Sequence, residues 1–242
     1  MAIDIGGSHI KASVLDAKGK MLAAEVAEVT PHPTTPRALL GAVARLTDRL
    51  PPFERISAGF PGYVKRNVVH TAPNLGTDLW HDFNLAEALT ARFGKPARVL
   101  NDADVQGLGV IAGKGFECVL TLGTGIGSSF FYNGRLLPHL ELGQHPIRSR
   151  VTYDRYIGDA VRRGKGRKKW NQRLKKTLAI VATFVNYDTL YLGGGNAGRI
   201  DFKLPPHVKL ASNVNGITGG IHLWNHDLDE LFVPIGGSEA RS

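Results

Sequence analysis

Two glycine turns, each set between a pair of alternating segments, constrain this chain more than any other feature. The first is Ile5-Gly-Gly-Ser8, between residues 2–5 and 11–15. The second is Leu122-Gly-Thr-Gly-Ile-Gly127, between residues 119–122 and 128–132. Glycine lets a hairpin turn tightly and lets the backbone come close to whatever lies against it. Two such hairpins in separate halves, each opening a strand-rich stretch, predict two similar α/β lobes. The smaller spans residues 1–105 and the larger residues 106–242. A last helix is expected to pack back on the small lobe, followed by a mobile tail over about residues 236–242.

Further elements follow from period and punctuation. A third strand is predicted over residues 22–29. Pro36 suits the first turn of a helix over residues 36–50, whose apolar residues fall at helical spacing before Pro51-Pro52 stops it. Residues 56–60 read as a strand, 84–93 as a helix, and 99–100 as a short strand running into Asn101-Asp102, with a helix from there to Gly113. Residues 168–185 read as an amphipathic helix with Trp170, Leu174, Leu178, Val181 and Val185 on one face. A buried strand at residues 189–192 is halted by Gly193-Gly194-Gly195. No apolar run reaches the ~20 residues that span a bilayer, and the start MAIDIGGSH lacks the basic and apolar regions of a signal peptide. The single cysteine, Cys118, permits neither an intramolecular disulfide nor a Cys-rich zinc site. It reads as a buried strand thiol in a reducing cytoplasm.

Four constellations carry chemistry. In Asp4-Ile-Gly-Gly-Ser-His9, the glycines offer N–H groups to phosphate oxygens, and the acid at the strand end can hold a hydrated Mg²⁺ beside them. A plain hairpin turn is the alternative. Leu122–Gly127 lies strand–turn–strand rather than strand–turn–helix, which favours a phosphate-cradling hairpin over a dinucleotide fingerprint. In Asn101-Asp-Ala-Asp104, at a strand end, a carboxylate can take a proton from an attacking hydroxyl; an N-cap explains the same residues. Glu141-Leu-Gly-Gln-His145 groups a carboxylate, an amide and an imidazole, the groups that bind sugar hydroxyls, in a loop that is otherwise merely exposed.

Taken in order, these segments resemble the ROK sugar kinases, and within them the polyphosphate/ATP glucokinase branch. The likeness rests on Asp4-Ile-Gly-Gly-Ser8, Ala72-Pro-Asn-Leu75, Asn101-Asp-Ala103, Leu122–Gly127, Glu141-Leu-Gly143 and Leu192-Gly-Gly-Gly-Asn196. It implies a two-lobed α/β chain of the actin/hexokinase-like (ribonuclease H-like) fold, with sugar and phosphoryl donor meeting in a cleft. It further implies that Asp102 deprotonates the sugar 6-hydroxyl, that Asn101 and Glu141 bind ring hydroxyls, and that Gly62 and Asn74 are neighbours of that site. Gly6, Gly7, Ser8, Lys11, Gly123, Thr124 and Gly125 would lie along the donor phosphates, with Gly193, Gly194 and Gly195 near a nucleotide and Asp4 holding Mg²⁺ through water. The usual His after Glu-x-Gly is Gln144 here, with His145 one place later. The resemblance also implies a homodimer without structural zinc.

The net charge of +9 is local. Arg162, Arg163, Lys165, Arg167, Lys168, Lys169, Arg173, Lys175 and Lys176 lie together with no acid among them, so the rest of the chain is neutral overall. Such a segment repels itself unless it faces an anion. A similar stretch occurs in polyphosphate-using relatives, which makes Lys165, Arg167, Lys168 and Lys169 a candidate polyphosphate track; a solvated helix face is the plain alternative. The expected function is phosphorylation of glucose at its 6-hydroxyl by polyphosphate, ATP or both. The alternatives are an ATP-dependent kinase for mannose, fructose or an N-acetyl amino sugar, a non-catalytic sugar-binding relative, and a nucleic-acid-binding regulator. The last would be expected to carry an added N-terminal helix-turn-helix, for which the stretch before Asp4 leaves no room.

Overall fold

The computed structural model describes residues 1–212 and 214–233. They form two compact units, the first made of Met1–Val105 and the segment from Gly216, the second of Gln106–Asn215. The tail expected at about residues 236–242 lies outside the described residues.

In the first unit, β1 (Ala2–Ile5), β2 (His9–Ser13) and β3 (Val26–Val29) form an antiparallel meander. α1 (Pro36–Thr47) then leads to β4 (Ile56–Phe60). A small antiparallel sheet follows, of β5 (Val64–Lys65), β6 (Val68–Val69) and β7 (Phe83–Asn84). Next come α2 (Leu85–Phe93), β8 (Ala97–Asn101) and α3 (Asp102–Leu108). The main sheet runs β3-β2-β1-β4-β8, with β4 parallel to both β1 and β8.

Local chemistry sets the helix ends. Thr35 accepts the Ala38 N–H ahead of Pro36, and α1 buries Leu39, Ala42, Val43 and Leu46. The Asn84 side chain caps α2, and Gly94, at φ 64°, closes it. The third strand is shorter than expected: the Ala23 carbonyl is met by the Ser13 hydroxyl, Leu22 is exposed, and pairing resumes only at an isolated Leu15–Met21 bridge. α3 stops well before Gly113. Val110 and Ile111 N–H groups both turn back to the Gly107 carbonyl, and the buried Glu117 carboxylate collects the N–H groups of Ala112, Gly113 and Lys114.

The second unit repeats the plan. β9 (Phe116–Leu122), β10 (Ile126–Tyr132) and β11 (Arg135–Leu136) are an antiparallel meander. A short hairpin of β12 (Pro146–Arg148) and β13 (Val151–Thr152) leads to α4 (Tyr153–Ile157), α5 (Asp159–Val185), β14 (Thr189–Gly193) and β15 (Val208–Leu210); α6 (Asn215–Thr218) follows, all but its first residue belonging to the first unit. The sheet order is β11-β10-β9-β14-β15, with β14 parallel to both its neighbours. Each sheet is thus a three-strand meander followed by two parallel strands, opened by a glycine hairpin. Buried Trp170, Leu174, Leu178 and Val181 anchor α5 against Cys118, Leu120, Leu190 and Leu192. This helix starts nine residues earlier than expected and breaks at Gly166, where φ 77° and ψ 161° are not helical.

The C-terminal residues make two 3-10 turns rather than the expected helix, Gly219–Trp224 and His226–Leu231, within the first unit. Arg98 fixes them. Its guanidinium donates to the Leu223 carbonyl and the Asp229 carboxylate, each at 2.7 Å, and stacks over the Trp224 ring. Among the described residues no helix is long and apolar enough to cross a membrane.

Candidate active site

Strand register gathers the acids of the first unit. Lys11 on β2 faces Asp4 on β1, and Asp4 lies beside Gly59 on β4. Paired residues on adjacent strands project to one face of a sheet. A Cβ at Gly59 would sit 3.1 Å from the Asp102 Cα, so the missing side chain lets the start of α3 settle on that face. Asp4 and Asp102 therefore share one side of the sheet, with Gly59 between them. Sequence reasoning missed Gly59; its signal is a glycine late in an apolar strand, where packing otherwise favours a larger residue.

Asn101 ends β8 and caps α3. Its Oδ1 accepts the N–H of Ala103 at 2.8 Å and of Asp104 at 3.4 Å, while Nδ2 donates to the Gly62 carbonyl at 3.0 Å. The side chain expected on a sugar is engaged with the chain's own backbone. Asp102 follows at the first helical position, half-buried, with Oδ1 accepting the Ala103 N–H at 2.8 Å. Gly62 is a steric necessity, since a Cβ would fall 2.0 Å from the Thr71 carbonyl oxygen. Asn74 lies exposed in the loop after β6.

Burial pushes the Asp4 carboxyl above the usual carboxylate range, with Lys11 opposing and Glu25 adding to the shift. Lys11 is itself paired with Glu25 at 2.8 Å, so its charge is shared between two acids. A desolvated carboxylate with a divided counter-charge suits a divalent cation. Among the described residues no group of three or more His, Cys, Asp or Glu could cage a metal. A single oxygen ligand fits Mg²⁺, which keeps most of its water and completes its shell on substrate phosphates. In the turn beside it, the Gly6 N–H bonds the His9 carbonyl at 2.9 Å and Thr30 reaches the Gly6 carbonyl at 2.6 Å. A Cβ at Gly6 would meet the His9 oxygen at 2.8 Å, so the hairpin itself requires this glycine. Gly7 and the exposed Ser8 complete the turn.

In the second unit the two glycine turns touch. Asn196 N–H bonds the Leu122 carbonyl at 2.9 Å, and its side chain reaches the Gly123 carbonyl at 3.3 Å. The glycines divide into two kinds. Gly125, Gly193 and Gly194 are packed against Asp154, Gln106 and Leu122 and have no room for a side chain. Gly123 and Gly195 face open space. No neighbouring atom would obstruct a side chain at these two. Thr124 bears on the same turn, its carbonyl 3.3 Å from the Asp159 N–H.

Glu141 meets the nearly buried His139, Nε2 to Oε1 at 2.9 Å, a partner that sequence reasoning did not single out. The Gln144 amide donates to Asp154 at 2.9 Å, and His145 is exposed beside Tyr153. In the basic segment, Asp159 pairs with Arg162 and Arg163, and Arg167 reaches the Arg199 carbonyl and Asp201. Burial works against ionisation of Asp159, but Arg162, Asn196 and Arg163 together hold it below the usual range. The run thus has acidic partners from outside itself. Among the described residues, Lys165, Lys168 and Lys169 are exposed and have no acid within 4 Å. Arg167 belongs to the scaffold as much as to any track.

Two sheets of one strand order, each opened by a glycine hairpin and the first led by an acid, define the actin/hexokinase-like fold of sugar kinases. The chain belongs to the ROK family, whose model matches residues 1–143. It is 30% identical over 233 residues to the polyphosphate glucokinase of Mycobacterium tuberculosis (strain CDC 1551 / Oshkosh), covering 90% of this chain and 88% of that one. The crystal structure of the inorganic polyphosphate/ATP-glucomannokinase from Arthrobacter sp. strain KM matches at a TM-score of 0.83 and 32% identity, covering 90% and 95% of the two chains. The ROK family glucokinase from Streptomyces griseus, in complex with glucose and AMPPNP, shares the fold at a TM-score of 0.74 and 21% identity, covering 91% and 97%.

Proposed function

We propose that the protein transfers a phosphoryl group from polyphosphate or ATP to the 6-hydroxyl of glucose. Similarity to polyphosphate glucokinases over nine-tenths of the chain carries this reading. The first unit supplies Asp102 as general base. It takes the hydroxyl proton as the sugar oxygen bonds to the terminal phosphorus and the bridging P–O bond breaks, leaving ADP or a polyphosphate one unit shorter. Asn101 acts as a positioning residue, holding the strand end and the helix start on either side of that base. In the second unit Gly123, Thr124 and Gly195 border the donor phosphates, and Glu141, set by His139, binds a ring hydroxyl. Mg²⁺ held through water at Asp4 neutralises phosphate charge when bound. The lone lysines Lys165, Lys168 and Lys169 form the track for a long polyanion, whose binding releases counterions. The same reading makes the enzyme a cytoplasmic homodimer, to be checked by light scattering.

The test is phosphorylation of a hexose panel with Mg²⁺ and either ATP or polyphosphate. Glucose should be the best acceptor, with mannose, the epimer used by a glucomannokinase, next. No hexose phosphate with either donor would overturn the reading.

A further inference from the structure

We propose that Asp154 is a positioning residue that braces the glycine turn Gly123–Gly127 against the loop Glu141–Gln144, through hydrogen bonds rather than through its charge. The inference rests on the kinase reading above and adds to it a residue that no motif points to.

Asp154 is the second residue of α4, behind Thr152, which caps the helix. Its carboxylate does not turn to solvent as an ordinary first-turn acid does. Oδ1 accepts the Ile126 N–H at 2.7 Å, at the end of the glycine turn, and Oδ2 accepts the Gln144 side-chain amide at 2.9 Å. Two glycines make room for it. A Cβ at Gly125 would lie beside the whole carboxylate group, and one at Gly143 would meet Oδ1 at 2.5 Å. Glycines from two segments thus open onto one side chain, which joins both segments. The turn is gripped from its other side as well, since the Asp159 N–H reaches the Gly123 carbonyl at 3.0 Å and the Asn196 amide reaches it at 3.3 Å. Gln144 then has a role: its amide supplies the second leg of the brace.

A geometric role makes a sharp distinction. In Asp154→Asn the Oδ1 acceptor survives, and Gln144, whose amide can reverse, accepts from the new NH₂. Both legs remain, so kcat/KM should stay within about threefold of wild type. Asp154→Ala removes both legs, and kcat/KM for glucose should fall at least tenfold. Gln144→Ala, at an exposed position that does not endanger folding, should raise KM for glucose with donor KM little changed. Its effect should vanish in the Asp154→Ala background, because the amide acts through Asp154. Hydrogen exchange of the Gly123–Gly127 amides should quicken in Asp154→Ala. Additive losses in the double variant would show Gln144 acting on the sugar directly, and loss of activity in Asp154→Asn would show the charge itself at work; either overturns the proposal. If wild type phosphorylates no hexose, the kinase reading fails, and the exchange measurement still decides the brace.

Discussion

Replacing Asn101 by Ala should damage stability and turnover together, whereas Asp102→Asn should damage turnover alone. Asn101 is 4% exposed, and its side chain serves the Gly62 carbonyl and the Ala103 N–H at 3.0 and 2.8 Å. Its removal costs a helix cap, about 1 kcal/mol, and strands a buried carbonyl, about 1–3 kcal/mol. The Ala103 N–H keeps a fallback in Asp102 Oδ1, so it adds little. The total is about 2–4 kcal/mol, which at ~2–4 °C per kcal/mol lowers Tm by roughly 5–15 °C in a chain of this size. The fallback has a price for chemistry, because the carboxylate becomes the sole acceptor for that N–H and is drawn from the attacking hydroxyl. Thermal melts and a coupled glucose 6-phosphate assay on both variants measure the two effects. An Asn101→Ala protein melting within 2 °C of wild type would refute the argument that this side chain holds the strand–helix junction.

Other expectations follow from single contacts. Asp4 binds its proton more tightly folded than unfolded, so its contribution to stability falls as pH rises from the ordinary carboxylate value through its raised one. At neutral pH the charged form is therefore a burden, and Asp4→Asn should raise Tm while weakening Mg²⁺-dependent turnover; a lower Tm would contradict it. Changing Lys165, Lys168 and Lys169 together to Gln should raise KM for long polyphosphate by about tenfold, ~1.4 kcal/mol, with a flatter salt dependence and a smaller effect on ATP. Equal losses with both donors would place these lysines at a shared phosphate site. Burial pushes the Cys118 thiol far above its ordinary pKa, so iodoacetamide should leave the native protein unmodified and label it on denaturation. Labelling of the native fold would contradict the burial of β9.

The repeated architecture was legible because glycine turns between alternating segments leave few other folds. Two helices were legible too: Pro36 opens α1, which ends three residues short of the expected 50, and the run 84–93 matches α2 to within one residue. What escaped depends on contacts and backbone angles that no periodic pattern encodes. The end of α3 is set by Glu117 gathering three N–H groups ahead of it, which no local propensity reveals. The helical turns ahead of residue 168 lie in a basic run without apolar period, and the break at Gly166 shows only in the backbone. The C-terminal turns carry no helical period and are fixed by Arg98, more than a hundred residues earlier. Among the site residues, Asp102 stood out through its motif. Gly59, His139 and Asp154 did not, because each matters for the particular side chain or backbone it touches.

Incubating the protein with glucose, Mg²⁺ and polyphosphate or ATP, and following glucose 6-phosphate by phosphorus NMR, tests the central claim most directly when Asp102→Asn is run beside wild type. The account predicts product at the 6-position from wild type, and a rate about 10²–10⁴-fold lower from a variant that still folds and melts normally. Product from the variant at more than a tenth of the wild-type rate would contradict it.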